Sequence, residues 1–291
     1  MEHCKHKDPP SFSEEVMEGV KIISHNILSS CFPRPKAGGG PVLSIDCCLK
    51  GRVEWRHTDG RVCYLGENDL QISPDLDHEK CLHFPLGHYK GVTVQIDPLK
   101  AETGFKKHFP HMDIDIDDIY KKFSSCHDFF IVRSEDGIKH IMNEMYFSPL
   151  SFDSDYMKLK IAELFLFLKH CHTENGDQKT YFPKSIVNRV KMAKEKACLE
   201  DKGMSYTEAA KIAELPESVF RACFREIYGE PFASYMRSLR LEQAALELSG
   251  TDMSIADIAL AARYDNPSKF SAAFRKKYGI SPREYRIQAS V

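Results

Sequence analysis

The sequence predicts an α+β protein of more than one domain: an N-terminal β-rich barrel with attached helices, then an all-α C-terminal part containing two helix-turn-helix units. Three observations carry this reading. Residues 41–96 are short runs rich in β-branched and aromatic residues, punctuated by Gly, Pro, Asp and Asn. From Ser185 to the end the apolar spacing is helical, with short turns. From Ser218 onward the chain repeats itself at an offset of fifty residues, with Ser218/Ser268, Phe220/Phe270, Ala222/Ala272, Phe224/Phe274, Arg225/Arg275, Tyr228/Tyr278, Gly229/Gly279 and Tyr235/Tyr285 identical. Just before these blocks the register slips by one, Ala210 answering Ala259, as when one turn of a duplicated supersecondary unit carries an extra residue.

Taken in order, VLSIDCCLK, GRVEWRH, RVCYLG, NDLQIS and YKGVTVQI read as strands, with a hairpin turn at His57-Thr58-Asp59-Gly60 and further turns at Gly66-Glu67-Asn68-Asp69 and Ser73-Pro74-Asp75. This spacing suggests a sandwich or barrel of the jelly-roll kind. Asp97 to Phe123 reads as helix with a pause at Phe109-Pro110-His111, and Ser134 suits the cap of a helix lined by Ile138, Ile141, Met142 and Met145. Asp155 to His172 is a stronger helix, apolar almost all round in its second half, and must be buried in its own domain or against a second copy of the chain. The polar stretch Thr173–Gln178 breaks the pattern, so the expected division is 1–172, a linker at 173–183, and 184–291. Within the last part, Ile186, Val190, Ala193 and Ala197 form one stripe, and Phe232, Tyr235, Met236, Leu239 and Leu248 belong to a long helix joining the repeats.

The repeats carry the chemistry. In the first, Tyr206–Ala213 is the supporting helix, Glu214-Leu215-Pro216 the turn and Glu217–Tyr228 the recognition helix. In the second, Ile255–Ala259 supports, Arg263–Pro267 turns and Ser268–Lys277 recognises, with Gly279 at the left-handed position that ends a helix and Ser281-Pro282 starting another. Val219, Phe220, Cys223 and Phe224, and likewise Phe270, Ala273 and Phe274, fall on the inward faces. The outward faces offer Glu217, Ser218, Arg221, Ala222 and Arg225 in the first unit, and Ser268, Lys269, Ser271, Ala272, Arg275, Lys276 and Lys277 in the second. Recognition helices read base edges with their N-terminal halves and hold phosphates with later basic residues. Ser218, Arg221, Ser268 and Ser271 are therefore expected near bases, and Lys269, Arg275, Lys276 and Lys277 near the backbone of double-stranded DNA. Arg221 has the planar fork that matches guanine O6 and N7. Charge agrees: residues 183–291 hold 18 Lys+Arg against 14 Asp+Glu, or +4, whereas the preceding 182 hold 22 against 28, or −6.

On these residues a family resemblance stands out. IADIALAARYDNPSKFSAAFRKKYGISPREYR resembles the C-terminal signature of AraC/XylS-type bacterial transcription regulators, and FREIYGEPFASYMRSLRLEQAALELS resembles the segment that follows that family's first unit. Over roughly residues 184–288 the resemblance implies two helix-turn-helix units docking in successive major-groove segments, and activation through contact with RNA polymerase. Two turns depart from the pattern: the family usually has Gly where Glu214 and Arg263 stand, and Ser where Pro216 stands. A non-Gly residue at a left-handed position costs about 1 kcal/mol, which the fold should survive. Arg263 gains the option of a phosphate contact.

A strand-rich first half resembles the cupin-like sensor domains that precede such DNA-binding parts. GENDLQISPDLDH is similar to a cupin motif, but Leu76 stands where its Gly should be and no metal-binding HxH is present. No cofactor and no metal are expected. His3-Cys4-Lys5-His6 and His170-Cys171-His172 are groupings that chance provides, and Cys4, Cys31, Cys47 and Cys48 lack the paired spacing of a zinc site. The ten cysteines read as small apolar residues of a reduced, cytoplasmic chain with no secretory leader and no apolar run of membrane length. An unidentified small-molecule effector inside the barrel has Arg52, Glu54, Trp55, Tyr64, His83 and Tyr89 as candidate contacts. The expectation is a ligand-responsive activator, homodimeric and not an enzyme. The alternatives are a metal-dependent cupin enzyme fused to a DNA-binding domain and a ligand-independent architectural DNA-binder.

Overall fold

The computed structural model describes residues 11–33, 41–56, 59–74, 81–125, 130–133, 136–171, 180–200 and 203–289. The chain divides into two compact units, Met1–Asn188 with Glu226–Gly229, and Arg189–Arg225 with Glu230–Val291.

The first unit contains β1 (Phe12–Met17), β2 (Val20–Ile27), β3 (Cys31–Pro33), β4 (Leu43–Gly51), β5 (Val53–Arg56), β6 (Arg61–Leu65), β7 (Asp69–Pro74), β8 (Cys81–His83), β9 (Tyr89–Ile96), α1 (Pro98–His108), α2 (Ile116–Ser124), β10 (Phe130–Arg133), α3 (Asp136–Phe147), α4 (Ser154–His170) and β11 (Phe182–Pro183). The strands form two antiparallel sheets, β1-β2-β9-β4-β7-β10 and β11-β6-β5-β8-β3. Among the described residues neither closes, so the expected barrel is there a two-sheet sandwich. The reason lies in the second sheet, whose outer strands β3 and β11 are three and two residues long, too short to carry pairing onward to the first. Strands also begin at Phe12, well before the 41–96 run, because VKIISHNI in β2 buries alternate residues against a centre that only the whole chain supplies. The end of the expected linker is not free either: Phe182 and Pro183 pair with Val62 and Arg61 of β6.

Both faces of the six-stranded sheet are covered, which makes its strands apolar in two directions. Ile45, Leu70, Ile72, Val92, Val94 and Ile96 pack on the helices through Phe105, Phe123 and Phe165. On the opposite face Ile27, Cys48, Tyr89 and Ile131 meet Val53, Trp55, Cys63 and Leu65 of the second sheet. The helices start where local chemistry allows. The Asp97 carboxylate accepts from the Leu99 and Lys100 amides with Pro98 at the first helical position, and Asp115 caps α2 after the expected pause. Ile138, Ile141, Met142 and Met145 are buried as predicted; Ser134 and the polar stretch Thr173–Gln178 lie outside the described residues. Helix α4 buries Met157, Ile161, Ala162, Leu164, Phe165 and Leu168, leaving Leu159 and Leu166 exposed.

The second unit is all helical. It comprises α5 (Lys184–Leu199) from Arg189 on, then α6 (Tyr206–Ile212), α7 (Glu217–Tyr228), α8 (Phe232–Gly250), α9 (Ile255–Ala261), α10 (Pro267–Tyr278) and α11 (Pro282–Ala289), with Glu226–Tyr228 of α7 grouped in the first unit. Val190, Ala193 and Ala197 form the buried stripe of α5, with Val187 in place of Ile186. Among the described residues no helix is long and apolar enough to cross a membrane.

Candidate DNA-binding surface

Each unit is set up by residues a few positions apart. Ser205 and Glu208 form a reciprocal capping box at the start of α6. The chain then turns through Glu214 at φ 53°, and the Glu214 carbonyl accepts from Arg189 Nη1 (3.1 Å). In the second unit Ser254 caps α9, accepting from the Asp257 amide (3.1 Å). The turn passes through Arg263 at φ 68°, and Asn266 Oδ1 accepts from the Ser268 amide (2.8 Å) ahead of Pro267. Gly279, at φ 80°, ends α10 in the left-handed conformation. The departures at Glu214 and Arg263 thus keep the backbone geometry for which Gly is the easier residue.

The duplicated aromatics fill the two cores. Phe224 packs on Phe232 (ring centroids 5.1 Å) and Tyr235 (5.6 Å). Phe270 packs on Tyr264 and Phe274 (both 5.6 Å), and Phe274 on Tyr285 (5.4 Å). Burying one face of each recognition helix leaves the other outside. Glu217, Ser218, Arg221, Ala222 and Arg225 are all exposed on α7, as are Ser268, Lys269, Ala272, Arg275 and Lys276 on α10, and Ser271 is half-buried. Ser271, Ala272, Arg275, Lys276 and Ser281 line a shallow groove of about 540 Å³.

Two side chains are more committed than their positions imply. The Arg221 guanidinium lies 5.1 Å from the Tyr206 ring centre and donates from Nη2 to the Tyr206 hydroxyl (3.0 Å), which itself donates to Glu217. The Tyr206 hydrogen bond, supported by one from Thr207, holds the Glu217 carboxyl below its ordinary range. Arg221 therefore projects from a prearranged triad. Lys277, expected near phosphate, instead turns to α8: its ammonium donates to the Ser238 carbonyl and the Glu242 carboxylate (both 2.8 Å). It lies on the flank of α10 facing α8. Arg263 does not lie free either, since Nη2 donates to the Glu200 carbonyl (2.5 Å).

The six candidate effector contacts do not share one face. Trp55 and Tyr89 belong to the apolar cluster between the sheets. Glu54 and Tyr64 pair across β5 and β6 on the other face, where the Tyr64 hydroxyl donates to Glu54 (2.8 Å) and Arg56 approaches the same carboxylate (3.4 Å). His83 stands opposite Glu54 on β8. Arg52 covers Gly66, where an added Cβ would come 2.6 Å from its Nη1. Alternation puts neighbouring strand residues on opposite faces, which separates Glu54 from Trp55.

A different constellation is assembled instead. Thr93, Asp46 and Gln71 sit directly across from one another on β9, β4 and β7, and Gln95, Ser44 and Ser73 form the next row. Their face is the one opposite the helices. His25 Nε2 contacts Thr93 Oγ1 (2.9 Å), which donates to Asp46 Oδ1 (2.6 Å), and Gln71 Nε2 donates to Ser73 (3.3 Å). Gln71 is completely buried, and its Oε1 has no hydrogen-bond partner among the described residues. Burying such groups is costly unless they are hydrogen-bonded. The signal was present in the strands: VLSIDCCLK, NDLQIS and YKGVTVQI each place polar residues at alternate positions within otherwise apolar runs. Among the described residues no group of three His, Cys, Asp or Glu stands close enough to hold a metal ion. His3-Cys4-Lys5-His6, His57, Leu76 and His172 lie outside them.

Two tandem helix-turn-helix units with polar, basic recognition faces define the second unit as a DNA-binding domain. Residues 209–288 match a family model described as a helix-turn-helix domain. The chain is similar to the transcriptional activator AarP of Providencia stuartii, 41% identical over 64 residues, which are 22% of this chain and 47% of that protein. It is also similar to the Tn10 TetD protein of Escherichia coli (31% over 86 residues, 30% of this chain and 62% of that one) and to the activator RhaR of Yersinia pseudotuberculosis (34% over 73 residues, 25% of each). The matched residues fall in the helix-turn-helix part, where the sequence resembles the AraC/XylS type. The chain spans 25–62% of the length of these curated relatives. Among solved structures, fatty-acid-bound ToxT of Vibrio cholerae aligns over 97% of this chain and 96% of its own at 13% identity, with a TM-score of 0.34.

Proposed function

We propose that the whole chain is a sequence-specific DNA-binding transcription regulator, a ligand-responsive activator that works as a homodimer and contacts RNA polymerase. One observation carries the reading: a duplicated helix-turn-helix frame presents two exposed recognition faces that differ, with Arg221 and Glu217 in the first against Ser271 and Pro267 in the second. One frame with two surfaces suits two unlike base blocks on successive turns of the duplex. Arg221, braced by Tyr206 and Glu217, reads a guanine; Arg225, Lys269, Arg275 and Lys276 hold phosphates. The effector docks against the buried polar rows of the six-stranded sheet, where Gln71 Oε1 accepts from a ligand donor. Leu159 and Leu166, two helical turns apart on α4, support pairing with a second copy.

Selection of random duplexes by the full chain tests the reading. Enrichment of one bipartite site is expected, bound with an affinity that falls steeply as salt rises. Failure to enrich any sequence overturns it. A thermal-shift screen of the same chain against small metabolites tests the effector, and a panel without a hit favours the ligand-independent alternative.

A further inference from the structure

The two non-glycine residues at left-handed turns are used differently. Glu214 keeps its side chain largely in solvent, 82% exposed; Arg189 donates to its carbonyl (3.1 Å) and lies 4.0 Å from its carboxylate, within the same unit. Arg263, 49 residues later in the equivalent turn, sends its guanidinium out of its own helix-turn-helix unit. Nη2 reaches the carbonyl of Glu200, the residue after α5, in the segment that leads into the first unit. That carbonyl is one of those a helix end leaves without an intrahelical partner, and a guanidinium there makes a charge-assisted bond at the negative pole of α5. Gly203, at φ 81°, makes room: a Cβ on it would overlap Arg263 Nη1. The surroundings are not a packed core. A groove of about 530 Å³, lined among others by Lys194 and Cys198 of α5, Arg240 and Leu246 of α8, and Arg263 itself, runs beside the contact. Burial, and next the nearby Arg263 charge, push the Arg240 guanidinium below its ordinary range, so the clustering is electrostatically costly yet retained.

We infer that Arg263 is a positioning residue that locks the second helix-turn-helix unit to the start of the first, and thereby sets the spacing between the two DNA blocks the chain accepts. The recognition helices sit on separate cores joined by α8, so their mutual angle depends on α8 and on ties between the units. A guanidinium held at both a helix end and a glycine notch removes one hinge freedom that a glycine at position 263 would leave. The inference rests on the proposed DNA-binding reading, but it also makes a claim about the free protein.

The test uses the full chain, a duplex selected by it, and versions of that duplex with one base pair inserted or removed between the two blocks. Wild type is expected to prefer the selected spacing at least about tenfold, and Arg263→Gly to reduce that preference to under about threefold. Affinity for a duplex carrying only one block should stay the same. Glycine suits the positive φ, so Arg263→Gly should melt no lower than wild type. Gly203→Ala, which displaces the guanidinium while leaving Arg263 in place, should weaken the preference in the same direction. Without DNA, spin labels incorporated at positions 218 and 268 should give a narrow distance distribution in wild type and a broader one in Arg263→Gly. Unchanged spacing preference with an unchanged distribution overturns the inference. So does a uniform loss of affinity for single-block and two-block duplexes, which assigns Arg263 to a phosphate. If wild type enriches no duplex at all, the DNA reading fails while the label distances still decide the clamp.

Discussion

His25 gives the first unit a defined weakness to acid. It is buried on the polar face of the six-stranded sheet, 6% exposed, with its ring 6.0 Å from that of Tyr89. The single proton of the Thr93 hydroxyl goes to Asp46, so His25 Nε2 must be the donor to Thr93. Burial pushes its pKa from 6.5 down to about 4. The unfolded chain takes up a proton below pH 6.5 and the folded one does not until about pH 4, so stability is complete above pH 6.5 and declines as pH falls through that window. At pH 5 the loss from this group is about 2 kcal/mol, approaching about 3 kcal/mol below pH 4. His25→Gln keeps a donor toward Thr93 but cannot titrate. Urea denaturation at pH 7.5 and pH 5, followed by the fluorescence of the chain's single tryptophan, Trp55, buried in the same unit, measures the difference. Wild type should lose about 2 kcal/mol more than His25→Gln between the two pH values. Equal losses refute the argument that a neutral buried histidine sets the acid limit.

Other perturbations read other parts of the molecule. Arg221→Ala should cost about 1–3 kcal/mol on the selected duplex and relax one base position in a repeated selection; Tyr206→Phe, which removes only the bracing hydroxyl, should cost about 1 kcal/mol without relaxing it. Phe270→Ala, at a fully buried position, should lower stability by about 3–5 kcal/mol in chemical denaturation, and a loss below about 1 kcal/mol would show that the position had collapsed around the cavity. Leu159→Asp combined with Leu166→Asp should leave the far-ultraviolet circular dichroism intact and convert the protein to monomer in sedimentation velocity, whereas a dimer that survives places the interface elsewhere.

The DNA-binding half was readable from the sequence to the residue in several places. Glu217–Tyr228, Gly279 and the helix beginning at Pro282 all stand where the spacing of Phe, Ser, Pro and Gly puts them, since caps and helical periodicity depend on residues within one or two turns. The first half was readable between 43 and 96 in β4, β5, β6, β7 and β9, though not in the three-residue β8, and not beyond. Strands β2, β10 and β11 gain pairing from partners far along the chain, which no local pattern announces. The candidate effector residues fall on two faces, which the chain order of Glu54 and Trp55, neighbours on opposite faces of β5, does not announce.

The sequence alone was enough to establish a duplicated helix-turn-helix frame, its inward aromatics and the outward basic faces, because each is written in spacings of one, three and four residues. Three matters needed the folded chain. Lys277 found Glu242, 35 residues away. Arg263 left its own turn for the Glu200 carbonyl, 63 residues away. Thr93, Asp46 and Gln71 were brought into one row from three strands. The physical reason is common to all three. A long side chain or a sheet register is settled by what else reaches the same point in space, and that is fixed only when every element has packed.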